Sequence, residues 1–130
     1  GLIMGKFEGI ALLVSDLKRS TAFYSELLGF KTVASSSTRV ELEFTTIRLI
    51  LYPTPYPVKP WTGGSGISLI VSTDNIKKLQ DQVLKYGARM LKEYISKTLL
   101  LIDPDGYVIA VTEEKNPPIN ELFHQSFTTE

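Results

Sequence analysis

A chain of 130 residues is long enough for a compact domain whose core needs neither disulfides nor a structural metal. Its 43% hydrophobic and 22% charged residues are the mix of a globular protein, and 14 basic residues balance 14 acidic ones, so there is no electrostatic footprint for nucleic acid or an anionic membrane. The lack of cysteine excludes disulfides, thiolate metal sites and cysteine nucleophiles, and fits a cytoplasmic location. No apolar run approaches the roughly 20 residues of a membrane span, and the stretch before Lys6 is too short for the core of a signal peptide.

In chain order, Gly9–Ser15 (GIALLVS) reads as a buried strand. Ser15 or Asp16 caps the helix that follows, and Gly29 ends it in a left-handed conformation. Strands are expected at Phe30–Ser35, Arg39–Phe44 and Ile47–Tyr52, with turns at Ser35-Ser36-Ser37 and Thr45-Thr46. The order then repeats. Gly66–Ser72 (GISLIVS) matches the first strand at five of seven positions. Thr73 or Asp74 caps a second helix, whose Ile76, Leu79, Val83 and Tyr86 form an apolar stripe, and Gly87 closes it. Arg89–Ile95, Thr98–Ile102 and Tyr107–Thr112 complete the set, with Asp103-Pro104-Asp105-Gly106 as a turn. Both halves are βαβββ, which points to a duplication.

The connector Pro53–Ser65 holds four prolines, two glycines, Tyr56 and the sole tryptophan, Trp61. It reads as a stiff linker able to carry aromatic rings over a cavity. Gly63-Gly64-Ser65-Gly66 lacks the following lysine and helix of a phosphate loop, and is a hinge. In the tail, Asn116 before two prolines caps a short helix through Ile119, Leu122 and Phe123, which covers a sheet edge or meets another subunit.

Two segments carry a family resemblance. Residues 14–30 (VSDLKRSTAFYSELLGF) and residues 103–111 (DPDGYVIAV) are similar to the first-helix and D-P-D-G signatures of the vicinal oxygen chelate superfamily, which includes glyoxalases, bleomycin-resistance proteins and extradiol dioxygenases. The resemblance implies an α+β fold, with two βαβββ modules forming a half-open eight-stranded barrel around a cavity. It divides the chain into module one (7–53), a linker (54–65), module two (66–114) and a tail (115–130). It also implies a homodimer, the modules pairing within or between chains.

Metal-using members of the family place ligands on four strands. At those places this sequence has Gly9, a position near Ile50, Gly66 and Ala110, none with a coordinating side chain. The single histidine, His124, lies in the tail, so neither a two-histidine, two-carboxylate set nor a two-histidine iron site can be assembled from one chain. The resemblance is therefore to a metal-free branch, with no cofactor. A site borrowed from two subunits through Glu8, Glu41 or Glu43 has too few converging carboxylates.

Strand alternation sets the faces. A tight turn at Thr45-Thr46 pairs Glu43 with Arg48 and Glu41 with Ile50. Arg39, Glu41, Glu43, Arg48, Ile50 and Tyr52 then share the cavity face with Ala11 and Leu13, and Val40, Leu42 and Phe44 face the helix. In module two Ser68, Ile70, Val108, Ala110 and Thr112 turn inward. The expected ligand-binding set is Glu41, Glu43, Arg48, Ile50, Tyr52, Trp61, Ser68 and Ala110: apolar walls with sparse polar groups. Taken alone, Glu43 and Arg48 read first as an ordinary exposed cross-strand ion pair and only second as part of a site.

The reading that follows is a metal-free small-molecule-binding protein that sequesters an antibiotic or metabolite. The neutral charge does not favour a cationic drug. The alternatives are a glyoxalase-like lyase or isomerase or dioxygenase-related enzyme, a metal-free enzyme using Glu41, Glu43 or Tyr52 as acid or base, and a structural module without a ligand.

Overall fold

Turns and caps divide the chain much as the repeat suggests. The computed structural model describes residues 5–56, 67–90 and 97–122. The chain splits into two compact units, Gly1–Val58 and Lys59–Glu130.

In the first unit β1 (Ile10–Val14) leads into α1 (Leu17–Ala22), followed by β2 (Lys31–Ser35), β3 (Val40–Phe44) and β4 (Ile47–Pro53). The sheet order is β1-β4-β3-β2, with β1 parallel to β4 and the other pairs antiparallel. Asp16 is the N-cap of α1, its carboxylate accepting the Arg19 N–H at 3.0 Å. The α-helix does not run unbroken to Gly29 as expected: residues Phe23–Leu27 form a wider π-helical segment. The adjacent Phe23 and Tyr24 are both buried there, and a regular helix would swing neighbouring side chains well apart. Tyr24 stacks edge-on against Phe30, and Phe30 against Phe44, which fastens the helix end to the sheet. Gly29 takes the expected positive φ of 80° as the Phe30 N–H reaches back to the Tyr24 carbonyl.

One side of this sheet is apolar and buried through Leu12, Val14, Val40, Leu42, Leu49 and Leu51. The two-residue turn at Thr45-Thr46 sets the expected register, with Glu43 opposite Arg48 and Glu41 opposite Ile50. The register of β2 shifts between Thr32 and Ala34, and all of β2 is exposed.

The second unit has β5 (Leu69–Ser72), α2 (Ile76–Tyr86), β6 (Arg89–Met90), β7 (Thr98–Ile102) and β8 (Val108–Thr112), in sheet order β5-β8-β7-β6. This repeats the first unit's topology. The N-cap of α2 is Asn75 rather than Thr73 or Asp74: its side chain accepts the Lys78 N–H at 3.0 Å, and the Thr73 hydroxyl instead accepts the Asn75 N–H. The Glu113 carboxylate, just past β8, takes the Ile76 N–H at 2.8 Å, where the helix dipole favours negative charge. Gly87 closes α2 at φ 85°. Tyr86, at the end of the expected stripe, is exposed, whereas Ile76 and Val83 are buried.

The D-P-D-G turn is built on Asp103, which is 1% exposed and accepts the Asp105 and Tyr107 N–H groups. Every residue of β7 and β8 is buried, so both sides of this part of the sheet are covered. Residues 119–122 form a helical turn, with the Ile119 N–H bonded to the Pro117 carbonyl and the Glu121 and Leu122 N–H groups to that of Pro118. It packs on a sheet face, not on an edge: Leu122 joins Leu100, Val108 and Ala110 in one cluster, with Ile119 against it. Apolar area is gained on a face and not on a strand edge, where peptide groups would dominate the contact.

Candidate functional site

The side of the first sheet away from its apolar core carries a connected set of charges. Arg39 pairs with Glu41, whose second carboxylate oxygen accepts from Arg48 at 3.0 Å. Arg48 also reaches Glu43 at 3.1 Å. The Glu41 side chain is only 14% exposed. The hydrogen bond to Glu43 raises the Arg48 pKa above its already high ordinary value; burial opposes it, and the charges of both glutamates and the hydrogen bond to Glu41 add to the rise. The guanidinium is thus a fixed cation. The Arg39 guanidinium lies 5.9 Å from the centre of the Tyr52 ring, a cation–π distance.

Alternation thus brings five of the expected residues, Glu41, Glu43, Arg48, Ile50 and Tyr52, to one face. The pair Glu43 and Arg48 extends into a four-membered network through Arg39 and Glu41. The diagonal Arg48–Glu41 contact was not read from the sequence, although residues two apart on neighbouring strands lie within reach of long side chains. Both Glu41 oxygens accept from arginine, which suits a positioning group better than a proton acceptor. Leu13 (53% exposed) and Tyr52 (36% exposed) give the face its accessible apolar surface. A depression of about 140 Å³ beside Arg39 and Glu41 adjoins it, lined also by Ala34, Ser35 and Ser36. A larger groove of about 510 Å³ lies between α1 and the β2–β3 turn, with Thr21, Ser25 and Ser35–Ser37 on its walls. Sequence patterning did not signal it.

The other expected residues are placed differently. Trp61 and Gly66 lie outside the described residues. The Ser68 hydroxyl is engaged in the fold, in contact with the Leu69 and Val108 carbonyls. Ala110 is fully buried beneath the 119–122 turn and faces chain rather than open space.

The family's ligand positions can be tested on geometry. At Gly9, φ is +149°, and a Cβ would lie 2.6 Å from the Arg48 carbonyl oxygen, so a side chain of any kind is excluded without moving the backbone. Aligning the two matched strand openings with the observed pairing puts Tyr52, opposite Leu13, level with Ala110, opposite Ile70. Tyr52, two residues beyond Ile50, is thus the counterpart of Ala110 in the first unit. Among the described residues no three His, Asp or Glu side chains converge. Among the described residues, Gly9, Ile50 and Ala110 thus offer no side chain that could ligate a divalent cation.

A duplicated βαβββ chain with an open, charge-lined sheet face defines a class of two-module α+β proteins. The particular family follows from its relatives. A sequence profile of the Glyoxalase/Bleomycin resistance protein/Dioxygenase superfamily matches residues 6–111, and the chain belongs to that superfamily. It is 25% identical to virulence protein STM3117 of Salmonella typhimurium, covering 86% of each chain. The crystal structure of that protein superposes with a TM-score of 0.64 at 23% identity, over 85% of this chain and 98% of the other. Glyoxalase 1 of Caenorhabditis briggsae is 25% identical over 77% of this chain, which spans only 40% of that protein. The fosfomycin resistance protein FosX of Listeria monocytogenes shares the fold, with a TM-score of 0.69 at 15% identity over 88% and 94% of the two chains.

Proposed function

We propose that this chain is a small-molecule-binding protein that works without a resident divalent cation and uses the open face of its first sheet to hold an organic molecule, an antibiotic or a metabolite. The carrying observation is Gly9. Its Cβ position is occupied by the Arg48 backbone, so the strand opening that would supply a ligand histidine has no room for one. Ala110, buried among Leu100, Val108 and Leu122, removes a second position. What the face offers instead is two arginines and two glutamates that cancel in charge, beside the Tyr52 ring and the exposed Leu13. Fixed dipolar groups next to an aromatic surface suit a planar or zwitterionic ligand of low net charge, and do not favour a strongly cationic one.

Elemental analysis of the purified protein should find no stoichiometric zinc, nickel, manganese or iron, and EDTA should leave its Tm unchanged. A thermal-shift panel of aromatic and zwitterionic compounds should yield at least one that raises Tm by several degrees. A ligand at a hundred-fold excess over its Kd stabilises by about 2.7 kcal/mol. Arg48→Met should abolish that shift. Stoichiometric metal with metal-dependent turnover, or a panel without a single stabilising compound, would overturn the reading.

A further inference from the structure

The open face of the first sheet is neutral in charge but unbalanced in hydrogen-bonding capacity. A guanidinium carries five N–H donors and no acceptor, whereas a carboxylate carries acceptors only. Arg48 spends one N–H on Glu41 and one on Glu43. Arg39 spends one on Glu41. Neither guanidinium makes a further hydrogen bond among the described residues, and the Tyr52 hydroxyl makes none there. On the acceptor side, both Glu41 oxygens already take an arginine N–H, and the side chain is 14% exposed. That leaves one oxygen of Glu43. The Arg39 and Arg48 side chains are 43% and 40% exposed, so their remaining donors lie within reach of a ligand. The face has donors to spare and few acceptors.

We propose that this face takes an aromatic molecule bearing an oxyanion on its ring, an arylcarboxylate being the simplest case, with the anionic group in the depression beside Arg39. The proposal rests on the small-molecule reading above and names the class of ligand. The depression, about 140 Å³, is walled by Arg39, Ser35 and Ser36 together with Ala34 and Glu41. The Ser36 hydroxyl is engaged with Thr38 and the Arg39 carbonyl, whereas the Ser35 hydroxyl has no partner among the described residues. A planar guanidinium beside an available hydroxyl matches the two oxygens of a carboxylate. Such charge-assisted bonds are roughly twice as strong as neutral ones. Glu41, the acidic part of the wall, shares its charge between two guanidiniums. Arg39 also lies 5.9 Å from the centre of the Tyr52 ring. A ring attached directly to the oxyanion therefore falls beside a phenol and a guanidinium plane, both of which stack on aromatic faces. An ammonium in the same place would find one free carboxylate oxygen and two guanidiniums that repel it.

The test is a protein-observed NMR titration with benzoate, benzamide and benzylammonium, which share a ring and differ in charge. Benzoate should bind roughly 10- to 100-fold more tightly than benzamide, the factor that a hydrogen bond to a charged group contributes. Benzylammonium should bind more weakly still. The largest shift with benzoate should fall on the Arg39 Nε–H. Arg39→Met should remove the preference for acid over amide with little change in Tm, since Glu41 keeps its bond from Arg48. Tyr52→Leu should weaken acid and amide by a similar factor and leave the preference in place. Should Arg39→Met not fold, Arg39→Lys carries the same test, and its preference should fall several-fold. Equal binding of acid and amide, tighter binding of the ammonium, a preference that survives loss of the Arg39 guanidinium, or no binding of any of the three would each overturn the oxyanion assignment. None of these outcomes touches the small-molecule reading, which falls only if the wider compound panel also yields nothing.

Discussion

The first module leaves one side of its sheet open and lines it with ion pairs, whereas the second buries both sides of β7 and β8. The same strand order and helix position support both outcomes. Topology decides which residues share a face. The side chains on that face decide whether it stays open or is closed by the chain itself.

The largest expected contrast comes from placing one carboxylate at equivalent positions. Ala110→Glu buries an unpaired charge among Leu100, Val108 and Leu122 and should cost about 3–5 kcal/mol in urea unfolding. Tyr52→Glu, on the partly exposed face beside Arg39, should stay within about 0.5 kcal/mol. Similar costs at both positions would break the comparison.

Gly9→Ala should destabilise by about 1–3 kcal/mol, since its φ and the Arg48 carbonyl both oppose a Cβ. Gly29→Ala should cost less, because its Cβ would meet nothing nearer than Phe44 at 3.8 Å. The helix caps should differ in the same measurement. Asp16→Ala should lose about 1 kcal/mol. Asn75→Ala should lose less, because Glu113 still holds the Ile76 N–H.

The smallest effect belongs to the charge network. Glu43→Gln should leave Tm nearly unchanged while weakening any ligand held by Arg48. The raised Arg48 pKa makes its contribution complete below the ordinary arginine range and lost only above it, so pH between 6 and 9 should not change this result, while added salt should.

Much of this contrast was legible in local sequence. The repeated strand openings, the Thr45-Thr46 turn and the alternation from Arg39 to Tyr52 set the charged face, because register follows from a two-residue turn and a period of two. Contacts between distant residues were not legible. Glu113 reaches Ile76 across 37 positions, and nothing local marks it as a helix cap. The π-helical segment at Phe23 depends on how two rings meet the sheet. The tail reads as a short helix through Ile119, Leu122 and Phe123; residues 119–122 form a helical turn and Phe123 lies outside the described residues, and the place of that turn over Ala110 is a tertiary choice. Ala110 itself, read as an emptied ligand position, gave no sign that it also makes room for a leucine.

Gly9 has a consequence for how such a chain can evolve. A histidine codon at position 9 would put its side chain against the Arg48 carbonyl. From this starting point, a side chain at position 9 cannot be gained by that one substitution alone. The strand carrying Arg48 would first have to shift, at the expense of the ion pairs that hold the guanidinium. The backbone therefore acts as a ratchet: neutral drift can change the exposed side chains of this face far more readily than it can add one at position 9.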